Sequence, residues 1–398
     1  MIRYFITYLL TVLGIFFAAA TSPDSTIRVS LVTLYPGSEV YEVYGHTELR
    51  VQDARADLFF NYGLFDFNSP GFVYRFVKGE TDYLCGAVPA QYALQGYAGR
   101  RIVEQQLNLT PAQAKQVRDM LCQNALPENA TYRYKFVSDN CATRPRDIIE
   151  QVLGDSLQYH PKDAIKVSYR QMMRRHNANY AWLRFGIDLA LGADLDTTIN
   201  YRQQMFAPLV LMDAFSGATV TMADGTEQPL VASTTVLSDY PADAALKQST
   251  PWYLTPLMMA LLLLAGVIAF SIRDVRKGKA NRLFSTLLYG AYAIFGTVIF
   301  YLVFVSTHEC TSPNYNALWL HPLYLIFAIL PWISKARKVE FYLHVANVAW
   351  LAVVVVLLLT GVVYQELSIA HYLLMLVPLV RSASGIIIDS PCIRAKVK

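Results

Sequence analysis

Charge is scarce in this chain. Asp, Glu, Lys and Arg make up 16% of its 398 residues, against roughly a quarter in an average soluble domain. With 54% of residues hydrophobic, such a composition excludes a disordered chain and a protein that is soluble throughout. The net charge of +4 is small and concentrated in loops that flank apolar runs, which argues against a nucleic-acid surface. No internal repeat and no low-complexity tract is present. Cysteine is sparse, five in all, and nothing in the spacing demands a bridge, though Cys85 and Cys122 fall where one could form in an oxidising compartment. The shortage of charge is uneven. Residues 21–250 have the composition of a globular chain of about 230 residues, enough for one core or two small ones. Residues 252–388 hold most of the long uncharged runs.

The first twenty residues set the compartment. Arg3 gives a positive start, residues 5–17 form an apolar stretch of signal-peptide length, and Ala18, Ala19 and Ala20 make a small-residue cleavage site. Further on, windows 252–272, 283–307, 317–334 and 341–364 are uncharged and close to the ~20 residues that a spanning helix needs. A fifth, Leu367–Val380, is short and spans only if Arg381 snorkels or Ser382–Ile388 extends it. Arg273, Arg276, Lys277, Lys279 and Arg282 lie between the first two windows, Lys335, Arg337 and Lys338 between the third and fourth, and Arg394, Lys396 and Lys398 in the tail, whereas loops 308–316 and 365–366 carry no Lys or Arg. Basic loops stay in the cytoplasm, so residues 21–250 are expected outside, in agreement with the signal peptide. The expected organisation is a signal peptide over 1–20, an extracytoplasmic domain over 21–250 and a membrane domain of about five helices over 251–390.

The extracytoplasmic part reads as α+β. Residues 45–67 alternate as a hairpin with a turn near Ala54–Ala56. Residues 110–126 read as a helix with Thr110 as cap and Pro111 in first position. A strand-like run at Tyr132–Val137 leads into Ser138, Asp139, Asn140 and Cys141, after which a helix capped by Thr143 runs to Gly154. Residues 217–250 read as a loop or small hairpin. Cys141 therefore stands between a strand and a helix N-terminus, where the dipole and free backbone N–H groups favour a thiolate and can receive an oxyanion. His46, on the first hairpin strand, is the natural base for it. Spacing alone reads the two more readily as structural residues. Asn61, on the second strand, is the candidate to orient the imidazole, and a register slip would present Tyr62 or Asp66 instead. Asn140 and Arg50 are local assistants or structural residues. The tetrapeptide Gly154-Asp155-Ser156-Leu157 spells an esterase motif, but it follows a helix rather than a strand.

The loop STHECTSPNYNALWLHP at 306–322 sets His308, Glu309, Asn314, Trp319 and His321 at the outer mouth of two spanning helices. Polar residues there read as contacts for a substrate or a lipid headgroup, with a plain interfacial loop anchored by Trp319 as the other reading. His308, Glu309, Cys310 and His321 match no defined zinc spacing; neither a metal nor a cofactor is expected.

The motifs VYGHTELRV, NYGLFDF and YKFVSDNCATRPRD, with the later THEC and NYNALWLHP, resemble a family of exported Bacteroidota proteins, similar to the lipoprotein N-acyltransferase of Bacteroides. A strand His that precedes a strand-to-helix Cys also looks like the circularly permuted papain-like group. The resemblance spans nearly the whole chain. It implies a circularly permuted papain-like thiol domain followed by transmembrane helices, in the bacterial inner membrane with the thiol domain in the periplasm. It implies a phospholipid acyl donor and a diacylated lipoprotein acceptor. The competing class is a thiol amidase or peptidase acting on cell-wall peptides through the same Cys–His pair. A non-enzymatic membrane scaffold is the third.

Overall fold

The computed structural model describes residues 27–161, 166–243 and 249–390. The signal peptide, Cys392 and the basic tail lie outside the described residues. The chain forms two compact units. The first takes in the chain up to Phe72, Thr81–Lys166 and Ile199–Lys247; the second takes in Val73–Glu80, Val167–Thr198 and everything from Gln248.

The first unit is built on a seven-stranded sheet. Its strands are β1 (Arg28–Leu34), β2 (His46–Gln52), β3 (Asp57–Leu64), β4 (Asp82–Pro89), β5 (Ile102–Leu107), β6 (Thr131–Arg133) and β7 (Val231–Ser238). They lie in the order β7-β5-β1-β2-β3-β4-β6, every neighbouring pair antiparallel. Period-2 alternation divides the sheet's side chains between two cores. Leu31, Leu49, Val51, Phe60 and Tyr62 pack with residues of helices Pro111–Asn124, Thr143–Leu153 and Pro208–Gly217. Val32, Leu34 and Phe59 pack on the other face with Ala90 and Ala93 of helix Ala90–Gly96. The β2–β3 hairpin turns where expected, because Asp53 Oδ1 accepts from the backbone of Arg55 at 2.8 Å and of Ala56 at 2.9 Å, an Asx turn. Thr110 caps its helix, with Gln113 completing a capping box and Pro111 in the first turn.

Two local expectations change. Residues 217–250 do form a small hairpin, Thr219–Thr221 with Glu227–Pro229, but β7 then joins the main sheet on β5. Thr143 does not cap the helix after Cys141. It is the first helical residue, and Asn140 ties off the helix start from outside it.

The second unit is mainly helical. Among the described residues four helices are long and apolar enough to cross a membrane: α1 (Pro256–Lys277), α2 (Arg282–Phe304), α3 (Arg337–Leu359) and α4 (Ile369–Asp389). The window that looked shortest in sequence is the complete helix α4. It continues through Ser382–Ile388, and Arg381 does not snorkel. It is 2% exposed and ion-paired with Asp274 of α1 at 2.9 Å.

The window at 317–334 is the one that breaks. It forms a 3-10 turn at Tyr315–Leu318, a six-residue helix Tyr324–Ile329 and a second 3-10 turn at Leu330–Trp332. Pro322 and Pro331 remove backbone donors at both ends of the short helix. The segment runs antiparallel to α2. His321 backbone lies so close to Gly296 that a Cβ there would come within 2.5 Å of it, and Thr286 Oγ1 donates to Ala328 O at 2.7 Å. Gly296 stands eight residues before the end of α2, roughly 12 Å along the helix at 1.5 Å per residue. Irregular backbone at that depth is tolerated where protein surrounds it, and Trp319, Leu320 and Tyr324 are buried in the core of the unit.

Candidate active site

His46 opens β2, and the pairing Leu49↔Phe60 carries the hairpin register toward β3. Continued three steps, that register sets His46 opposite Gly63. A Cβ on Gly63 would meet His46 Cε1 at 2.6 Å, so only glycine leaves room for the ring. Asn61 shares the face, and its Oδ1 lies 3.0 Å from His46 Nε2. The same oxygen accepts from Gly63 N at 2.6 Å, which locks the amide orientation. The register is therefore the one that selects Asn61. Tyr62 points into the core, its hydroxyl 2.8 Å from Asn124, and Asp66 is exposed beyond the strand end.

Cys141 meets the other side of this arrangement and is 9% exposed. The preceding residue positions it. Asn140 Oδ1 accepts from Ala142 N at 2.8 Å and Thr143 N at 2.9 Å, while its Nδ2 donates to Phe136 O and Phe206 O. These bonds use two of the helix N-terminal N–H groups expected to be free for an oxyanion. The backbone N–H groups directed at the sulfur are those of Thr47 and of Cys141 itself. Burial pushes the Cys141 thiol up, but the His46 charge, the His46 hydrogen bond and the two N–H groups outweigh it and bring the thiol below its usual value. Burial pulls His46 down; the Cys141 thiolate and Glu48 reverse this and hold the imidazole up at about 10. Each partner therefore favours the charged form of the other, thiolate beside imidazolium. Cys85, Cys122 and Cys310 behave in the opposite way, since burial raises them to about 12, 11 and 12. All four described cysteines are free thiols.

Glu48 was not among the residues singled out from sequence. It is 1% exposed, its Oε1 lies 3.5 Å from His46 Nε2, and it accepts a short hydrogen bond from the Tyr97 hydroxyl. Asn61 Nδ2 donates to that same hydroxyl at 3.1 Å, so Asn61, Glu48 and Tyr97 form one network behind the imidazole. The signal was available in H-T-E: residues i and i+2 of a strand share a face. Arg50, two further on, is structural. It holds Asp57 with two hydrogen bonds, at 2.8 and 2.6 Å, and Glu104 at 3.0 Å.

The residues of the 306–322 loop are placed in the helical unit, each with its own partners. His308 Nε2 bonds Phe76 O, and its ring meets the Phe76 ring edge-on. Asn314 Nδ2 donates to Leu189 O at 2.9 Å and Ala190 O at 3.0 Å. Trp319 is 1% exposed and donates to Asn316 Oδ1 at 3.1 Å; it is a core residue, not an interfacial anchor. His321 stacks on Tyr324 at 4.5 Å, with its Nδ1 buried and unbonded. Glu309 is half-buried. Among the described residues no group of His, Cys, Asp or Glu is arranged to hold a metal.

Two family models match the chain in sequence order. The Lnb N-terminal periplasmic domain matches residues 17–175, which include His46, Asn61 and Cys141. The Lnb transmembrane domain matches residues 247–390. Comparison with curated proteins and with solved structures gives no significant match.

Proposed function

The chain belongs to the Lnb family of lipoprotein N-acyltransferases, and on that premise we propose that it moves an acyl chain from a phospholipid, through a thioester on Cys141, to the N-terminal amine of a diacylglyceryl-Cys lipoprotein. The family architecture is that of an enzyme with a periplasmic domain and a membrane domain; we place it in the inner membrane. The observation that carries the reading is the buried Cys141–His46 pair, whose thiol is lowered while the other described thiols are raised.

The thiolate attacks the ester carbonyl of the donor, and the N–H groups of Thr47 and Cys141 face the negative charge that develops. The tetrahedral intermediate collapses as His46 gives its proton to the departing alkoxide of the lysophospholipid. The acyl-thioester and a neutral His46 remain. The lipoprotein amine attacks the thioester, His46 takes its proton, and the thiolate leaves, which restores the starting pair. Asn61 orients the ring. Glu48 supplies the negative charge that keeps it a strong base when the thiolate has been consumed. A diacyl donor stays in the bilayer, since each buried CH₂ contributes about 0.8 kcal/mol, which gives a transferase of this kind a reason to carry membrane helices that a cell-wall amidase lacks. Residues of the 306–322 loop, His308, Glu309, Asn314, Trp319 and His321, are proposed to shape the surface met by lipid, with Asn314 and Trp319 acting as its frame.

Purified protein supplied with phospholipid and no amine acceptor is expected to gain one acyl group on Cys141, removable by neutral hydroxylamine, in keeping with two-step transfer through one nucleophile. Addition of a diacylated lipopeptide should discharge it as N-acylated product. Absence of both species, together with cleavage of a cell-wall peptide, would establish the amidase instead.

A further inference from the structure

We infer that the turn between α1 and α2 is a binding site for the phosphate of an anionic phospholipid in the leaflet opposite the proposed reaction. Arg273, Lys277, Lys279 and Arg282 line a cleft of about 660 Å³ there, together with Asp274 and Asn281. Gly278, at a positive φ of 61°, closes the turn, and Lys279 N bonds Asp274 O at 3.1 Å. The loop is thereby held folded back between the two helix ends rather than left extended.

The charge in this cleft is unbalanced. Its one carboxylate, Asp274, already pairs with Arg381 at 2.9 Å and Arg273 at 3.1 Å and accepts from Asn281 N at 2.7 Å. Among the described residues Lys277, Lys279 and Arg282 have no ion-pair partner. In the other basic segment Arg337 pairs with Asp389 at 2.9 Å while Lys335 and Lys338 have no ion pair among the described residues, so the α1–α2 turn is set apart by its cleft rather than by unpaired charge alone.

A buried cation stands behind two of the lining residues. The Arg381 guanidinium, 2% exposed, donates through Nη2 to Asn281 O and to Asp274, both residues of the cleft. Its Nη1 is buried with no acceptor among the described residues. Arg282 and Leu283, which open the 23-residue α2, line the same cleft, with the Phe284 N–H already taken by Asn281 Oδ1, and a helix start favours an anion. A phosphodiester offers several acceptor oxygens and a negative charge together.

A lipid rather than a soluble phosphate is indicated by what flanks the cleft. Phe270, Leu283 and Leu287 are 37%, 60% and 65% exposed on the same helix ends, where acyl chains would lie along them. Basic loops alone satisfy the positive-inside rule; they do not require a concave site over a buried Arg–Asp pair. Clustered basic residues at this boundary recognise anionic headgroups.

The test uses full-length protein in nanodiscs of phosphatidylcholine, with phosphatidylglycerol added in steps, and follows the thermal midpoint and the lipid retained in native mass spectra. Wild type should gain stability with phosphatidylglycerol and retain it as a defined adduct, while inorganic phosphate has no effect. The triple variant K277Q/K279Q/R282Q should bind it at least about tenfold more weakly, and K277R/K279R should bind as wild type does. K335Q/K338Q, in the other basic loop, should also match wild type. Equal retention by the triple variant overturns the proposal, as does an equal response to inorganic phosphate. If the triple variant fails to insert, K279E alone must still lose the adduct for the proposal to stand.

Discussion

The corner of the sheet at His46 and the loop at 306–322 are made of the same kinds of residue, yet they do different things. Both bring together His, Glu, Asn and Cys, the loop within one short segment and the sheet corner from elements far apart in the chain. At the sheet corner the groups face one another: His46 touches Cys141, Asn61 and Glu48, and the partners change each other's protonation. In the loop the polar groups face backbone instead. His308 bonds Phe76 O, Asn314 bonds the carbonyls that end helix Ala181–Ala190, and Asn316 bonds Asp188 O and Leu189 O. Reactive chemistry needs side chains that answer to one another, whereas a buried irregular segment needs side chains that satisfy its backbone and its neighbours.

The contrast can be broken most severely at Cys141. Cys141→Ala is expected to reduce N-acylation to background, a loss of about 10⁴-fold or more, with folding and insertion intact; near wild-type turnover would refute the thiol mechanism. His46→Ala should come close, about 10³-fold, and should also slow alkylation of Cys141 at neutral pH. Gly63→Ala tests position without removing a reacting group. Its Cβ would push the imidazole aside, and we expect about a 10²-fold loss in rate with Cys141 still present and the protein still folded.

Glu48→Gln sharpens the comparison further. Removing the carboxylate weakens the imidazolium, and a weaker imidazolium stabilises the thiolate less. The midpoint of Cys141 alkylation should therefore move to higher pH, with about a tenfold loss in rate. In wild type the lowered thiol keeps its thiolate as pH falls below the range where Cys85 and Cys122 are already protonated. An unmoved profile would leave Glu48 a purely structural residue. The loop should behave in the opposite sense. Trp319→Ala is expected to destabilise the helical unit by about 3–5 kcal/mol and to leave the alkylation profile of Cys141 unchanged.

Much of this corner was legible because strand alternation is a strong local signal. The hairpin, the helix at Thr110 and the helix that ends at Gly154 all follow from period, caps and turn residues. Asn61 followed once the register was known. Glu48 was missed because burial of a carboxylate is a tertiary property; in sequence its place on β2 reads as a solvent-facing position. β7 was missed for a related reason, since Val231–Ser238 carries mostly exposed residues at a sheet edge and lacks an apolar face. In the helical unit, hydropathy located the apolar segments but not their continuity. It ranked Leu367–Val380 weakest because Arg381 reads as a terminator, and it could not show that Asp274, far back in the chain, neutralises it. It placed 317–334 among the spans without showing that the segment is broken, because the two prolines count as uncharged.

The seam between the two compact units does not follow the boundary of the membrane segments. Val73–Glu80 and Val167–Thr198, both well before the first long apolar helix, group with the helices, and Arg174 reaches Glu366 at 2.8 Å within that unit. For anyone wishing to produce a soluble enzyme, truncation ahead of residue 250 would therefore not liberate a finished domain. It would strip Val167–Thr198 of the scaffold it packs on and leave Arg174 without its acidic partner. Sorting by sequence position would name the fragment water-soluble, but its behaviour in the test tube would be that of a protein cut through its middle. A fragment for crystallisation or assay is better designed by retaining the helical half and stabilising it in detergent or lipid than by cutting at the first apolar residue.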